Sequence, residues 1–390
     1  MKITGVNGIP LRCQISPISD AMTTMKNRQA MLVKVETDSG LYGIGEAFTY
    51  GAPLGAMKVL IEQEFEPMLI GKDPSNIEEL WQIMYWRSIA HGRRGIIFGV
   101  ISGIDIALWD LFGKMVHQPI AKLLGQRYDR IQAYASGGFY SPDKDIDSLR
   151  REMEGYMEKG YRDVKMKVGR NMERQWDKLH YMPCKQDAVT VEEDYRRVEA
   201  VKKIVGDGKL LVDSNASWDA QSALERAREF ARIGVDCIEE PMPFEFLEGY
   251  RRLRESLPQI QVMGCETQQG LGNFDIMIKA KALDILQPDL AWSGGITEVK
   301  KIGALAQSAG KKISLHCFGS AVVFAASLQI SAAMEQTYMI ECEENKNPLH
   351  DELSKTPFET DEHMNFFVPD GDGLGIELDW NKVAQLTVNV

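Results

Sequence analysis

Apolar and polar positions follow a repeating pattern from about residue 131 onward. A short apolar stretch that ends in polar residues alternates with a longer segment in which Ala, Leu and Ile recur at three- to four-residue spacing. The first kind of segment is typical of a buried strand, and the second of an amphipathic helix. The candidate strands are IQAYAS, DVKMKVG, KLLVDSN, VDCIEEP, IQVMGCE, LDILQPD, KISLHC and YMIECE. The clearest helices are VEEDYRRVEAVKKIV, AQSALERAREFARIG and GITEVKKIGALAQSAG.

Eight alternations of strand and helix favour a closed parallel barrel. An open, doubly wound sheet is the alternative. Such a sheet more often carries a glycine-rich phosphate-binding turn after its first strand, and this sequence has none there. The GGITE segment that begins at Gly294 suits a helix start that faces an anion, and an ordinary helix start equally well.

Both flanks of the repeat follow other patterns. The first 125 or so residues have strand-like stretches within MLVKVETDSGLYGIGEA, followed by helices through IEELWQIMYW and GVISGIDIALWDLFGKM. After residue 345 the sequence is rich in turn residues and short strand-like stretches. We therefore predict an N-terminal α+β domain (1–128), a central barrel (129–345) and a C-terminal segment (346–390) that returns to the first domain.

Composition narrows the classes of partner. The chain has 390 residues, 44% hydrophobic and 26% charged, which is enough for a barrel and a second domain. Its net charge of −11 argues against nucleic acid or an anionic membrane as the main partner, and favours a small molecule. No apolar leader or long charge-free apolar run is evident, so we expect a cytoplasmic protein. Its six cysteines show no CxxC spacing, which predicts reduced, buried thiols and disfavours a zinc site.

Polar residues stand at the carboxyl end of every predicted barrel strand. In strand order from the second they are Lys165 and Lys167, Asp213 and Asn215, Glu239, Glu266, Asp289, His316 and Glu341. From Asp213 onward the spacing is 23 to 27 residues, the length of one strand–helix unit, so these side chains should meet at one mouth. Taken alone, each charged residue is more often a solvated charge, and a lone histidine is more often a hydrogen-bonded core residue.

The set as a whole predicts acid–base chemistry beside a metal ion. Three carboxylates in one pocket need a cation, and oxygen ligands suit Mg²⁺ better than Zn²⁺. Lys165 and Lys167 face the same side of their strand, while Met166 faces the helices. A lysine beside a cation and a second ammonium should have a lowered pKa, which suits a base. A carboxylate on the neighbouring strand would hold one nitrogen of His316.

Motifs along almost the whole chain resemble the enolase superfamily, in particular its mandelate racemase subgroup. They are SGIDIALWDLFGK, VKMKVG, VDSNASW, CIEEP, GCET, LDILQPDLAWSGGITEVKKI, SLHCFGS, NPL and PDGDGLGIELD. The resemblance implies an α/β fold: a (β/α)7β modified TIM barrel with an N-terminal α+β capping domain that the C-terminal tail completes. Where the muconate-lactonising branch has a lysine on the sixth strand, this chain reads QPDLAW, and it has His316.

The resemblance also implies roles for individual residues. Asp213, Glu239 and Glu266 would bind one Mg²⁺ per active site, with Glu240 the second choice to Glu239. Lys167 and His316 would act as base and acid. Lys165 would steady the enolate, Asp289 would orient His316, and Glu341 would contact the substrate carboxylate. Family members are usually homo-oligomers.

The expected reaction is removal of the proton alpha to a carboxylate, most simply dehydration of a sugar acid (an aldonate or aldarate) to a 2-keto-3-deoxy acid. The C-terminal half resembles acid-sugar dehydratases and galactarolactone cycloisomerases most closely. Racemisation or epimerisation and lactone cycloisomerisation are the alternatives within the superfamily, and a non-catalytic metal-binding barrel is a remote one. A two-metal aldose isomerase would need several histidine ligands, and only His316 lies on a predicted barrel strand.

Substrate contacts are expected from the capping loops Ser16–Arg28 and Glu46–Pro53. Lys26, Tyr50, Arg93 and Asn215 are the candidate substrate-binding residues, with His91 and Arg94 as further choices. The segment NMERQWDKLHYMPCKQDAV is an insertion relative to the family pattern. It predicts either a lid that contributes Arg174, His180 or Tyr181, or an exposed loop.

Overall fold

The structure is a computed structural model that describes residues 1–142, 144–171 and 188–390. Arg174, His180 and Tyr181, the residues proposed for a lid, lie outside these ranges.

An antiparallel sheet opens the chain. It consists of β1 (Ile3–Ser19), β2 (Thr24–Thr37) and β3 (Tyr42–Ala47), in that order. Next come α1 (Leu54–Val59), a π-helical segment (Leu60–Phe65), α2 (Glu66–Leu69), α3 (Ile77–Ser88) and α4 (Ile96–Val116). A Cβ at Gly43 would lie 1.9 Å from the carbonyl oxygen of Ala107, and one at Gly45 would lie 2.0 Å from that of Gly103. Glycines at these two positions therefore let β3 lie directly against α4.

Helix α4 is long and apolar enough to cross a membrane by length and composition alone. However, 83% of its apolar window is buried inside the protein, with Ile101, Ile104 and Leu108 fully buried. These residues belong to the apolar core that α4 shares with β2 and β3. The helix is thus the core helix of the N-terminal layer.

The predicted barrel is confirmed. The eight strand candidates form β4 (Arg130–Gly137), β5 (Val164–Lys167), β6 (Leu210–Asp213), β7 (Cys237–Glu239), β8 (Gln261–Gly264), β9 (Ile285–Leu286), β10 (Lys312–Ile313) and β11 (Ile340–Glu343). Seven consecutive strands pair in parallel from β4 to β10, and β11 pairs in parallel with β4. A bridge between Ile313 and Thr337 brings the two ends of the sheet together, which an open doubly wound sheet would not do.

In the described residues, eight helices follow the N-terminal layer and surround the sheet. They are α5 (Ile120–Leu123), α6 (Ile146–Glu158), α7 (Val191–Val205), α8 (Ala220–Ile233), α9 (Leu247–Ser256), α10 (Leu271–Lys279), α11 (Gly295–Ser308) and α12 (Ala321–Ser331). Side chains of Asp145, Thr190 and Asp219 accept backbone N–H bonds at the starts of α6, α7 and α8. Met166 packs in the core between strands and helices, as predicted, whereas Leu211 and Cys237 lie in a separate cluster contributed by the strands.

The GGITE segment starts α11, and an acidic side chain of the protein itself faces this helix start. The carboxylate of Asp105, on α4, accepts hydrogen bonds from the backbone N–H of Thr297 (2.9 Å) and from its hydroxyl (2.5 Å). Ser102 accepts the N–H of Gly294 at 2.8 Å. The helix start is therefore a joint between the N-terminal layer and the barrel.

The C-terminal segment contacts both layers. It contains α13 (Pro348–Asp351), β12 (Asn365–Phe367) and α14 (Trp380–Leu386). Strand β12 pairs antiparallel with β4, and Thr387 forms a bridge with Leu11 of β1. The predicted return of the tail to the first layer is thus present.

Two local expectations need correction. Ser16–Arg28 was expected to be a loop, but β1 extends to Ser19 and β2 begins at Thr24, because Ser19 pairs with Thr24 in the antiparallel ladder. Strands β9 and β10 are only two residues long, so Asp289 and His316 lie beyond their ends. A parallel bridge between these two residues still holds their backbones together.

Candidate active site

A cavity of about 310 Å³ lies between the carboxyl ends of the barrel strands and the first strands of the N-terminal layer. Lys167, Asn215, Glu266 and His316 line its barrel side. The opposite side is lined by Asp20, Thr23, Thr24, Met25, Lys26, Asn27, Arg28, Gln29, Phe48, Thr49, Tyr50 and Gly51, and Phe139 and Phe318 complete it. The predicted mouth of the barrel is therefore covered by residues of the N-terminal layer.

Three carboxylates meet at this mouth. One oxygen from each of Asp213, Glu239 and Glu266 lies within 4.8 Å of the others, and all three residues are buried. They come from β6, β7 and the residues just after β8, which are neighbours in the sheet. Glu240, the second choice, is not part of this group. The register of three adjacent strands thus produces the cluster.

The cluster fits a hard divalent cation. Burial, reinforced by Asp213, holds the pKa of Glu239 well above its usual range, and burial also raises the pKa of Glu266. Oε2 of Glu266 is buried without a hydrogen-bond partner among the described residues. An orphaned carboxylate oxygen among close acidic groups has the character of a metal ligand, and an all-oxygen donor set matches Mg²⁺.

The two lysines of β5 contact the acidic cluster. Lys165 is fully buried, and its Nζ lies 2.9 Å from both oxygens of Glu239 and 2.7 Å from Oε1 of Glu341. Lys167 Nζ forms an ion pair with Asp213. Burial alone would lower the pKa of Lys167, but Asp213 raises it above its usual value. Among the protein's own groups, the contact with Asp213 outweighs the neighbouring Lys165 ammonium, and the lowered pKa expected beside a bound cation stays a prediction.

The histidine–aspartate pair is present. Nδ1 of His316 lies 2.6 Å from Oδ2 of Asp289, whose other oxygen accepts the N–H of Ala291 at 2.8 Å. Nε2 of His316 lies 3.5 Å from Oε2 of Glu266. Burial would lower the pKa of His316, but Glu266 and the bond to Asp289 raise it to about 10. The imidazole is therefore held as a cation with Nε2 toward the acidic cluster.

Glu341 and Asn215 lie beside the same cluster. Glu341 contacts Lys165 and accepts the backbone N–H of Cys317 at 3.2 Å. Burial would raise the pKa of Glu341, but Lys165 and His316 bring it to about 2. Asn215 has a left-handed backbone (φ 45°) and donates its own N–H to Asp213 at 2.8 Å. Residues from β5, β6, β7, β11 and three strand ends thus form one charged network.

Comparison with known proteins identifies the family. Residues 4–125 match the model described as "Mandelate racemase / muconate lactonizing enzyme, N-terminal domain", and residues 148–382 match "Enolase C-terminal domain-like". The chain belongs to the enolase superfamily. Within it, the relatives place the chain in the mandelate racemase subgroup, as the sequence motifs indicated.

The relatives of this superfamily member differ in reaction. Arabinonate dehydratase of Saccharolobus solfataricus is 35% identical, over 89% of this chain and 87% of its own length. D-galactarolactone cycloisomerase of Agrobacterium fabrum is 34% identical, over 99% of this chain and 98% of its own length. A racemase from Streptomyces coelicolor, solved with bound magnesium, superposes with a TM-score of 0.87 at 26% identity, over 99% of this chain and 100% of its own. The relatives with this architecture therefore include a lyase and two kinds of isomerase.

The capping residues predicted to contact substrate do not all reach the cavity. Tyr50 lines it, donates to the carbonyl of Glu266 at 3.0 Å and stacks on His316 with ring centroids 6.3 Å apart. Lys26 also lines it but is exposed. Arg93 is exposed and is not among the lining residues. Its neighbour Arg94 bonds Asn273 in the first turn of α10, so this turn contacts the start of that helix.

Sequence reasoning missed two buried arginines near the mouth. Arg28, on β2, forms an ion pair with Glu343, lies 3.5 Å above the ring of Phe318 and lines the cavity. Arg170 follows β5, and its guanidinium donates to the carbonyl of Asp20 (2.6 Å) and the hydroxyl of Thr24 (3.0 Å). Arg28 and Glu343 are separated by 315 residues in the chain, so no local pattern pointed to their pairing.

Proposed function

We propose that the protein is a Mg²⁺-dependent sugar-acid dehydratase that converts an aldonate or aldarate into a 2-keto-3-deoxy acid. The observation that carries the proposal is the arrangement of acid and base around the carboxylates. Lys167 contacts Asp213 at one end of the cluster, and His316 approaches Glu266 at the other. A substrate held between them would have a base on one side and an acid on the other.

Asp213, Glu239 and Glu266 are the proposed ligands of one Mg²⁺. Their buried donor set supports this assignment. When bound, the ion would balance the carboxylates that keep Lys167 protonated and would stabilise the negative charge that develops on the substrate carboxylate. Glu341 and Lys165 would flank that carboxylate, because both lie beside Glu239 in the charged network.

The proton movements follow from the side chains. Lys167, as the free amine, removes the proton from the carbon alpha to the carboxylate. His316, held as a cation by Asp289, donates the proton on Nε2 to the beta hydroxyl, and water leaves as the C–O bond breaks. The enol that remains takes up a proton at the beta carbon, loses the proton of its alpha hydroxyl and becomes the keto acid. One molecule of water is lost, and both side chains exchange protons with solvent.

Racemisation, epimerisation and lactone opening remain the alternatives, because they share the first step. If His316 returned its proton to the alpha carbon, the product would be an epimer. If a ring oxygen left instead of water, the reaction would be a cycloisomerisation, as in the Agrobacterium relative. The presence of many hydrogen-bonding groups on the capping side of the cavity supports a hydroxylated substrate in every case.

A screen of sugar acids tests the proposal. Purified protein with Mg²⁺ is incubated with a panel of aldonates and aldarates, and 2-keto acid is measured by trapping with semicarbazide. We expect keto acid from at least one member, none with EDTA, and a loss of about 10²-fold or more in Lys167→Ala and His316→Asn. Lys203→Ala, an exposed lysine on α7, is the matched control and should retain activity.

The other outcomes separate the alternatives. Exchange of the alpha proton for deuterium without keto acid would move the assignment to a racemase or epimerase. Consumption of lactones, but not of open-chain acids, would move it to a cycloisomerase. A panel that shows neither turnover nor exchange would leave only the non-catalytic metal-binding barrel.

We further propose the division into a capping domain (1–128), a barrel (129–345) and a returning C-terminal segment (346–390). The contacts of β12 with β4 and of Thr387 with Leu11 support such a segment. A cytoplasmic location and a homo-oligomeric state are proposed from the resemblance to the family.

A further inference from the structure

The capping side of the cavity has a charge balance that bears on substrate class. Among the described residues that line this side, Asp20, Lys26 and Arg28 carry charges. The remaining polar side chains there, such as Thr23, Asn27 and Gln29, are neutral. Within the described ranges, a second substrate carboxylate at this end would have to find its counter-charge in Lys26 or Arg28.

Neither cation is well suited to that task. Arg28 is buried, and its charge is already matched by Glu343, whose side chain is only 5% exposed. Phe318 covers a face of the guanidinium, so the pair is held in a fixed place. Lys26 is exposed, where solvent screens its charge. Asp20 also lines the cavity and would repel a second carboxylate.

The neutral groups suit a different partner. The hydroxyl of Thr23 and the amide of Asn27 can both donate and accept hydrogen bonds. The hydroxyl of Thr24 already contacts Ser19 and Arg170, and Oε1 of Gln29 accepts from Arg12, which leaves the amide N–H groups of Gln29 as donors. Sugar hydroxyls need such partners when they leave water, whereas the ionised form of a buried carboxylate is stabilised best by an unmatched cation. The guanidinium of an Arg–Glu pair can still donate a hydrogen bond to an uncharged substrate hydroxyl.

We infer that the enzyme acts on sugar monoacids, with their one carboxylate at the acidic cluster and uncharged hydroxyls at the capping end, and that the Arg28–Glu343 pair discriminates against diacids. This inference rests on the proposed function and deepens it. Arg28 acts as a specificity-determining residue that faces the substrate, and Glu343 acts through Arg28 as a positioning and charge-matching residue.

Matched substrate pairs test the inference. We measure kcat/KM for monoacids and diacids of identical stereochemistry, such as D-galactonate with galactarate, D-gluconate with D-glucarate, and arabinonate with arabinarate. For each skeleton that turns over, we expect the monoacid to have a kcat/KM at least about 10-fold higher, since an unmatched buried charge is penalised by that much or more. Equal or better turnover of the diacid would overturn the inference.

Substitution of Glu343 gives a sharper test. Glu343→Gln removes the carboxylate that neutralises Arg28, so the diacid-to-monoacid ratio of kcat/KM should rise by about 10-fold. The double variant Arg28→Gln/Glu343→Gln replaces the ion pair by two neutral amides and should keep the monoacid preference. If Glu343→Gln alone fails to fold, the matched substrate pairs measured on the wild-type protein still decide the inference. A ratio that stays the same in a folded Glu343→Gln protein would contradict the role of the pair.

The next residue offers a matched control. Glu344 also lies at the end of β11, but its carboxylate contacts Lys159 and Tyr161 and does not line the cavity. Glu344→Gln should therefore leave the substrate ratio unchanged. Failure of the proposed function would look different, because no keto acid would form from either class. Calorimetric binding of each pair to Lys167→Ala with Mg²⁺ would then still decide the inference, with tighter diacid binding counting against it.

Discussion

At the scale of single residues, the environment of His316 sets its protonation state. The ring is buried, which favours the neutral form, yet Asp289 and Glu266 flank its two nitrogens and favour the cation. The balance raises the pKa of His316 to about 10, so the imidazole carries a proton at neutral pH. A histidine in this state can serve as a general acid only because a partner fixes its orientation.

Asp289→Asn should move the alkaline limb of the pH profile of kcat to lower pH. The amide cannot stabilise the imidazolium as the carboxylate does, so the pKa of His316 falls from about 10 and the acid form is lost earlier as pH rises. We expect kcat at pH 8 to fall by about 10-fold or more. The measurement is kcat between pH 6 and 10 on the best substrate.

Asp284→Asn provides the control for that profile. Asp284 lies at the other end of the same strand, where it bonds Arg254 and the N–H of Val262. Its substitution should leave the alkaline limb in place. An unchanged limb in Asp289→Asn as well would show that His316 is not the titrating acid.

At the scale of secondary-structure elements, two carboxylates of the N-terminal layer hold the starts of barrel helices. Asp105 accepts bonds from Thr297 in α11. Glu46, at β3, accepts from the N–H of Ser320 (3.0 Å), its hydroxyl (2.6 Å) and the N–H of Val323 (3.1 Å) in α12. The start of α12 follows the segment that carries His316 and Phe318. The contacts of Glu46 therefore also hold the N-terminal layer against the mouth of the barrel.

Glu46→Gln should remove a pH dependence of stability. Burial raises the pKa of Glu46 from 4.5 to about 7, so the folded protein favours the neutral form. The contribution of neutral Glu46 to the stability of the folded protein is fully present below about pH 4.5 and is lost as pH rises through about 7. Relative to Glu46→Gln, the wild type should lose stability by up to about 3 kcal/mol between pH 4.5 and 8.

The thermal midpoint of both proteins across that pH range checks this. The difference between them should grow in favour of Glu46→Gln as pH rises. Glu36→Gln, an exposed glutamate on β2 that pairs with Lys34, should show no such trend. Curves that run parallel for wild type and Glu46→Gln would disprove the assignment.

Elements also show what sequence can predict. The strand ends that carry Asp213, Glu239 and Glu266 were predictable because a barrel repeats one unit with one register. Strand β1 was not predicted, since Pro10 and Pro17 interrupt its alternation and its pairing with β2, far along the chain from Pro10, keeps it extended. Contacts between the layers, such as those of Glu46 and Arg28, depend on residues far apart in the chain and leave no local signal.

At the scale of the whole molecule, the fold buries a cluster of carboxylates, although burial disfavours their ionised forms. Burial raises the pKa of Glu239 and of Glu266, which means that their ionised forms cost free energy of folding. The contacts of Lys165 and Lys167 compensate only in part. Binding of a cation would therefore stabilise the protein as well as serve its chemistry.

Mg²⁺ should raise the thermal midpoint of the wild type, and Glu266→Gln should abolish that response. Ligand binding at 100 times the Kd stabilises a protein by about 2.7 kcal/mol. Without metal, Glu266→Gln should be about as stable as wild type, because the burial cost of the charge that it removes is offset by loss of the ion pair between Oε2 and His316. Differential scanning fluorimetry with Mg²⁺ or EDTA gives both values.

An exposed glutamate controls for that experiment. Glu255→Gln, on α9, should respond to Mg²⁺ as the wild type does. A Glu266→Gln protein that is still stabilised by Mg²⁺ would place the ion elsewhere.

The bridge between Leu11 and Thr387 bears on how the chain folds during translation. Pro10 and Leu11 lie in β1, which leaves the ribosome before every barrel strand, but the residues that bond them there, Thr387 and Val388, are made after every barrel strand. Until then that side of β1 has unpaired backbone groups, which invite pairing with another nascent chain. Truncation before Thr387 should therefore lower the soluble yield of newly synthesised protein more than it disturbs the chemistry at the distant strand ends.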